Sequence, residues 1–398
     1  MNRRPGIAIA VATLLLGGMP VHAASRASAL VYFGTDGSIG MASVSRPGSA
    51  AEGPPQGIHA ARLDARTGHL SPLGLQTTIP RATWQVADPA GQRLYSVADS
   101  GGGIDTESLI YGFAVDRASG ALTLINRSGA GGRDATHLTL DARSHTLFVA
   151  NHASGDVTAL PLSGDGSVGA VATDQKTSGT GPHRRQAFPQ PHAVALDRHG
   201  RHLIAADFGA DRLYVYRFDA GSRRLQPAST PTTALPAGSG PRHLAFSRDG
   251  RFLYVNTELT AMLYVFRWDA RTETLTPLQA LSAYPAGYDG RQERSSAELV
   301  LARDGRYLYV SLRGDQNSLV VYAIDRRSGA LRETQRIASQ GQTPRSFAID
   351  PSGRWLLVAN QASNTVDVLR VDTATGRLSA TGERLPIPRP VTVVFAGR

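Results

Sequence analysis

His192, Arg242, Glu258 and Arg313 are the residues of this 398-residue chain whose types best suit acid–base and anion chemistry. An imidazole or a carboxylate can take a proton from water, and a guanidinium can hold a carboxylate, a phosphate or a developing oxyanion through paired N–H donors. Asp207, His243, Glu298, Arg345 and Arg185 accompany them as candidates for binding and orienting a substrate. The chain has no Gly-x-Ser-x-Gly elbow and no His-Glu-x-x-His, so a serine acyl-enzyme and a zinc hydrolase have no motif support. It also has no cysteine, which removes disulfides and thiol chemistry. The candidates are far apart in sequence, so a repeated architecture must bring them together.

That repeat is present. WQVADPAGQRLYSVAD at Trp84, HLTLDARSHTLFVAN at His137, HAVALDRHGRHLIAAD at His192, HLAFSRDGRFLYVNTE at His243, ELVLARDGRYLYVSLR at Glu298 and SFAIDPSGRWLLVAN at Ser346 are variants of one phrase. Their turn residues Gly91, Ser144, Gly200, Gly250, Gly305 and Gly353 recur at intervals of 48 to 56 residues. A fixed period of this size marks an array of one supersecondary unit. The apolar runs are short, rich in Val, Leu, Tyr and Phe, and broken by Gly, Asp and Asn, so they read as strands. Four short antiparallel strands, a to d, make a propeller blade. In the fifth blade, a is expected at Arg242–Phe246, b at Phe252–Asn256, c at Met262–Arg267, and d from near Leu275.

The chain ends supply a seventh blade. Leu30–Thr35, Ile58–Asp64 and the run after Leu70 read as b, c and d with no preceding a, and Pro390–Phe395 reads as an a with nothing after it. The expected fold is therefore an all-β, seven-bladed propeller, closed by the C-terminal strand completing the first blade. Closure leaves no open sheet edge. The domain plan is a leader over residues 1–23 and one propeller over 24–398, with Ser45–Gly57 as a long loop inside the first blade.

In an a–b hairpin the start of a lies beside the end of b, so those positions from every blade face one mouth of the central channel. The starts of a supply His192, Arg242, His243, Glu298 and Arg345; the ends of b supply Asp99, Asn151, Asp207, Glu258, Arg313 and Asn360. The opposite rim carries the repetitive turns DPAG, DRHG, SRDG, ARDG and DPSG, which read as structural. The loop Thr173–Gln190, leading to the fourth blade, brings Lys176, His183, Arg184 and Arg185 to the polar mouth as a basic lid. Ordinary roles compete with functional ones: Asx residues bond their own turns, a single His at a strand start serves packing, and an Arg–Glu pair serves as a salt bridge.

Arg3 and Arg4, the apolar run Ile7–Leu16 and Val21-His22-Ala23 form a secretory leader too short to span a membrane, so an exported, periplasmic or secreted protein cleaved near Ala23 is expected. The formal charge is +10, or about +8 without the leader. Its arginines are spread around the ring rather than clustered with aromatics, which argues against nucleic acid as a partner. A monomer acting on a small molecule is the expected form.

AGSGPRHLAF, NTEL, ADFGADRLYVYRFD, LRGDQNSLVVY, TPRSFAIDPSG and the loop GTGPHRRQAFPQPHAV resemble the seven-bladed propeller lactonases. That family includes bacterial-type 6-phosphogluconolactonases and the fungal carboxy-cis,cis-muconate lactonizing enzymes, and the likeness covers essentially the whole mature chain. The resemblance implies opening of a sugar or acidic lactone, with His192, Arg242 and Glu258 as the His, Arg and Glu of the site. On the residues themselves, His192 or Glu258 would be the base on water, and Arg242 and Arg313 would hold an anionic group and the oxyanion. Two departures stand out: Val194 occupies the place of the family's second histidine, and Arg184 replaces a common acidic residue. No cofactor is expected. Alternatives are a Ca²⁺-dependent site built on Glu258, Asp207 and Asn side chains, a cycloisomerase of a dicarboxylate, and an exported propeller that only binds.

Overall fold

The computed structural model describes residues 28–36, 56–98, 106–288 and 294–397. The leader with its cleavage site, most of the loop Ser45–Gly57, and Asp99 lie outside these. The described residues form seven four-stranded antiparallel sheets. Besides the strands, one short 3₁₀ turn at Gln361–Ser363 is described.

The first blade holds β1 (Ser28–Thr35), β2 (Ile58–Asp64) and β3 (Leu70–Thr77), with the C-terminal strand as its innermost member. The second runs from β4 (Trp84–Ala87) through β5 (Arg93–Ala98) and β6 (Glu107–Val115) to β7 (Leu122–Arg133). The third comprises β8 (Ala135–Asp141), β9 (Thr146–Asn151), β10 (Asp156–Pro161) and β11 (Thr173–Lys176). The fourth comprises β12 (Pro191–Leu196), β13 (His202–Asp207), β14 (Arg212–Asp219) and β15 (Arg224–Ala234). The fifth comprises β16 (Pro241–Phe246), β17 (Phe252–Thr257), β18 (Met262–Asp269) and β19 (Thr274–Ser282), each bound within two residues of expectation. The sixth comprises β20 (Ser296–Leu301), β21 (Tyr307–Leu312), β22 (Ser318–Ile324) and β23 (Leu331–Ala338). The seventh comprises β24 (Pro344–Ile349), β25 (Trp355–Asn360), β26 (Thr365–Val371) and β27 (Leu378–Pro386), and β28 (Pro390–Phe395) follows.

β28 pairs antiparallel with β1, Val31 opposite Phe395 and Phe33 opposite Val393. The seven innermost strands touch in an unbroken circle, β4 to β8, β12, β16, β20, β24, β28 and back to β4. Apolar packing follows the same circle. Seven buried clusters lie one between each pair of neighbouring blades, such as Tyr254 and Val265 against Leu308 and Tyr322, or Val31 and Phe33 against Leu357 and Val366. Each sheet is thus covered on both faces, which is why strands such as β9, β13, β17 and β25 are buried along their whole length and read as continuous apolar runs.

One boundary moves. Thr173–Lys176 is the outer strand of the third blade, with Asp156 opposite Lys176. The basic loop therefore begins after it, and Lys176 is not part of a lid: its Nζ lies 2.7 Å from Asp156 and 3.2 Å from Asp174. The reason is local, because Lys176 meets the carboxylate of buried Asp156 at the strand edge. Removing residues 389–398 takes away β28, uncovers an edge of β1 and breaks the circle of packing. Thermal melting of that truncation is expected to show a fall of roughly 10 °C or more, or loss of the cooperative transition.

Candidate functional site

The backbone at the start of the innermost strands is irregular in a repeated way. Register shifts fall between Ala135 and His137, Pro191 and Ala193, Pro241 and Leu244, Ser296 and Leu299, and Pro344 and Ser346. Each is a β-bulge, an extra residue on the inner strand with no counterpart on strand b. The extra positions include Thr136, His192 and Arg345, and in the fifth and sixth blades Arg242–His243 and Ala297–Glu298 are spanned. Bulges re-aim side chains and are common beside active sites. This is how neighbours in sequence, Arg242 and His243, both enter contacts at the mouth. Left-handed residues cluster in the same connections: Arg81, Asp134, Thr343 and Arg389, with φ of 46°, 49°, 57° and 42°, each lie within three residues of an inner strand. Such non-glycine conformations are strained and gather at functional faces. Gly240 (φ +62°) does the same before β16, and there a Cβ would sit 2.8 Å from the Phe208 ring, so only glycine fits.

At the centre, three guanidiniums converge on one carboxylate. Arg242 Nε lies 2.8 Å and Arg313 Nη2 3.0 Å from Glu258 Oε2, and Arg185 Nη2 is 2.7 Å from Glu258 Oε1. Arg242 also donates to the Ala297 carbonyl at 2.7 Å, and Arg313 to Ser295 Oγ at 3.1 Å. Burial would raise the Glu258 carboxyl, but the combined charge of Arg313, Arg242 and Arg185 outweighs it and holds the group well below the usual carboxylate range. Burial, with the like charge of Arg313, presses Arg242 down to about 9, still protonated at neutral pH.

Beside this cluster the imidazoles of His192, His243 and His137 are packed together. Ring centroids are 5.3 Å apart for His192 and His243 and 5.5 Å for His137 and His243, with Trp84 4.5 Å from His137. His243 Nδ1 is 2.7 Å from Glu298 Oε1, and Glu298 Oε2 accepts the Ser346 hydroxyl at 3.0 Å. The backbone N–H of His243 donates to Asn256 Oδ1. Burial, then the Arg242 charge, keeps His192 well below 6.5, and its Nδ1 is buried with no hydrogen-bond partner.

Arg345 is the uncommitted cation of the mouth. It makes no hydrogen bond or ion pair with any described residue, yet its charge acts on His192, Arg242 and His243. Burial and then Arg313 lower its guanidinium.

The structure thus brings His192, Arg242, His243, Glu258, Glu298, Arg313, Arg345 and Arg185 to one mouth. Asp207 Oδ1 accepts the N–H groups of Gln190 and Ala210, shaping the turn that leads into β12, while its Oδ2 is buried with no hydrogen-bond partner. Asn151 and Asn360 likewise bond Asp156 and Asp367 of their own blades. Among the described residues no group of three His, Asp or Glu is placed to share a metal ion. The loop over 177–190 is anchored: Gln186 Nε2 donates to the Phe208 carbonyl and to Asp211 Oδ1, and Arg185 lies over the Phe208 ring at 4.8 Å. Asp211 also accepts from Ser239, Gly238 and Gly240, tying the Arg185 loop to the turn before Arg242. Sequence reading passed over Asp211, His137, His152, Trp84, Arg81 and Asp134. The His137 ring had a signal, being at the same strand position as His243. The chain of Asp36, Arg81, Asp134 and His152, linked at 3.5, 3.5 and 3.4 Å, had none, because all four sit in connections between strands.

The described residues thus form a closed propeller with one cationic mouth rich in buried imidazoles. The chain belongs to the seven-bladed β-propeller lactonase family, whose description, "Lactonase, 7-bladed beta-propeller", it matches over residues 46–395. It is similar to the periplasmic gluconolactonase of Pseudomonas aeruginosa, at 33% identity and a TM-score of 0.83 over 92% of this chain and 99% of that structure. A putative 6-phosphogluconolactonase of Bacteroides fragilis superposes with a TM-score of 0.82 at 26% identity, covering 93% of this chain and 98% of the other. The 6-phosphogluconolactonase of Bacillus subtilis is 28% identical over 87% of this chain and 97% of its own length. Among the described residues no helix is long and apolar enough to cross a membrane.

Two outcomes follow from the charges. Glu258→Gln leaves three cations without their carboxylate and is expected to cost about 3–5 kcal/mol in denaturant unfolding; a loss under ~1 kcal/mol would mean the ion pairs are not formed. His192 and His137 are held below 6.5 in the fold, so below that pH the unfolded chain binds more protons and stability falls as pH falls. His202 has the opposite sign: burial lowers it, but Asp197 and Glu273 raise it overall. The measurement is therefore a difference: the Tm drop from pH 7 to pH 5 should be smaller in His192→Asn than in the wild type.

Proposed function

We propose that this chain hydrolyses a sugar lactone at the channel mouth, acting after export and removal of its leader. The observation that carries the reading is the pairing of an unpartnered, neutral His192 Nδ1 with an uncommitted Arg345 guanidinium. They lie beside a Glu258 whose three arginines are already in place. A neutral imidazole is a base, and a free guanidinium is an anion receptor. Membership of the lactonase family supplies the bond to be broken, and the likeness to a periplasmic gluconolactonase favours an unphosphorylated sugar lactone.

In this reading His192 takes a proton from water as the water oxygen attacks the lactone carbonyl carbon. The carbonyl electrons move onto oxygen, where Arg313 and Arg345 stabilise the oxyanion; stabilising charge that develops only during reaction is the productive use of such donors. The tetrahedral centre then collapses, the ring C–O bond breaks, and the departing alkoxide takes a proton from the imidazolium. The product is the open hydroxy acid. Glu258, surrounded by three cations and far below the ordinary carboxylate range, is a poor proton acceptor. Its role is to hold Arg242, Arg313 and Arg185 in position. Glu298 does the equivalent for His243. Because the carboxylates are committed to cations and to backbone N–H groups, no metal ion is required by this scheme.

The test is base consumption in a pH-stat on a panel of sugar lactones, phosphorylated and not, with and without chelator. Expected are turnover of an unphosphorylated lactone, insensitivity to chelator, a loss of roughly 10²–10⁴ in kcat for His192→Ala, and a lowered kcat with little change in KM for Arg345→Ala. Failure to open any lactone, or wild-type rates in both Arg242→Ala and Glu258→Gln, would remove this assignment.

A further inference from the structure

The face opposite the polar mouth carries the a–b and c–d turns, and cavities open there in the grooves between blades. Three are directly comparable. They lie between the second and third blades (about 350 Å³), the sixth and seventh (about 500 Å³), and the fifth and sixth (about 580 Å³). Each is lined by a tyrosine of strand b: Tyr95, Tyr309 and Tyr254.

In the first two grooves the tyrosine hydroxyl is satisfied by the next blade. Tyr95 donates to the Gly166 carbonyl at 3.1 Å and Tyr309 to the Gly376 carbonyl at 2.9 Å, and Tyr32 does the same with Gly120 between the first and second blades. The equivalent carbonyl for Tyr254 is that of Gly329, which closes the same kind of turn on Asp325. That bond is not made: the Tyr254 hydroxyl is buried and has no partner. An unsatisfied buried hydroxyl costs about 1–3 kcal/mol. A bond that the repeat makes three times is absent here.

The groove also differs in charge. Arg198, Arg248, Arg251 and Arg326 line it, against the carboxylates Asp249 and Asp304. Asp249 is taken by Arg251 at 2.7 Å and Asp304 by Arg306 at 2.6 Å. Arg248 and Arg326 each spend one nitrogen on a backbone carbonyl, at 2.6 and 3.1 Å. Their remaining N–H donors stay available, and Arg198 makes no hydrogen bond with a described residue. We propose that this groove between the fifth and sixth blades is a binding site for a compact tetrahedral oxyanion of the phosphate or sulfate type, held by Arg198, Arg248 and Arg326, with the Tyr254 hydroxyl as a further donor. Guanidiniums bind such anions through charge-assisted, often paired, hydrogen bonds.

Inorganic phosphate is the probe, titrated into the mature protein by calorimetry at constant ionic strength set with chloride. Expected are saturable binding to the wild type and a loss of ~tenfold or more in affinity for Arg198→Ala/Arg326→Ala, a shift of one decade or about 1.4 kcal/mol. Tyr254→Phe is expected to weaken phosphate several-fold without lowering the Tm of the phosphate-free protein, since no bond is lost. Tyr309→Phe, which loses its bond to Gly376, is expected to lower it. A cooperative melt establishes that each variant folds. The site is overturned if phosphate binds no better than chloride, if the double variant binds as the wild type does, or if Arg345→Ala abolishes binding, which would place the anion at the polar mouth.

Discussion

Every blade of this molecule needs a neighbour on each side, and that requirement governs the rest. A single four-stranded sheet has two apolar faces and no core of its own; the seven buried clusters all lie between sheets, none within one. An open row of such sheets would leave two apolar faces and the β1 edge uncovered. The pairing of β28 with β1 joins the two ends of the chain in one sheet and makes the row a circle. Only a closed circle has a channel, and only a channel gives residues from seven sheets a common mouth.

At that mouth the protein places charges that would be costly alone. Desolvating Glu258 or the arginines singly is unfavourable, and removing one partner leaves the others uncompensated. The arrangement works because Glu258 accepts from three guanidiniums while Arg242 and Arg313 find further acceptors in Ala297, Ser295 and Ser296. The surplus positive charge has a second effect. Together with burial it keeps the neighbouring His192 neutral.

The opposite face shows what the repeat does when function is set aside. Asp116, Asp325 and Asp372 close their turns by accepting backbone N–H groups in the same manner, and tyrosines of strand b reach the next blade. Because these solutions recur, a position that departs from them, such as Tyr254, stands out against its own siblings. The repeat is an internal reference within one chain.

The period of about fifty residues, the turn glycines and the incomplete first and last units were enough to read a seven-bladed ring closed by its last strand. The same alignment placed Arg242, Glu258, Arg313 and Arg345 at one rim, because strand order alone decides which end of a hairpin faces which way. Three things were not legible. The bulges that turn both Arg242 and His243 into the mouth depend on local backbone pairing, and their residues look ordinary in sequence. The division between Glu258, paired with three arginines, and Arg345, paired with none, depends on distances across three blades. Asp207 and Glu258 both read as the end of strand b, yet Asp207 pairs with Pro191 while Glu258 lies one residue beyond Thr257, the partner of Pro241, so that one bonds its own turn and the other gathers cations. Sequence by itself determined the unit, its number and the face on which polar variety gathers, since these follow from periodicity. Which polar groups are spent on structure and which remain available was decided by the tertiary fold, because hydrogen bonds and ion pairs between blades are set by where closure puts their partners.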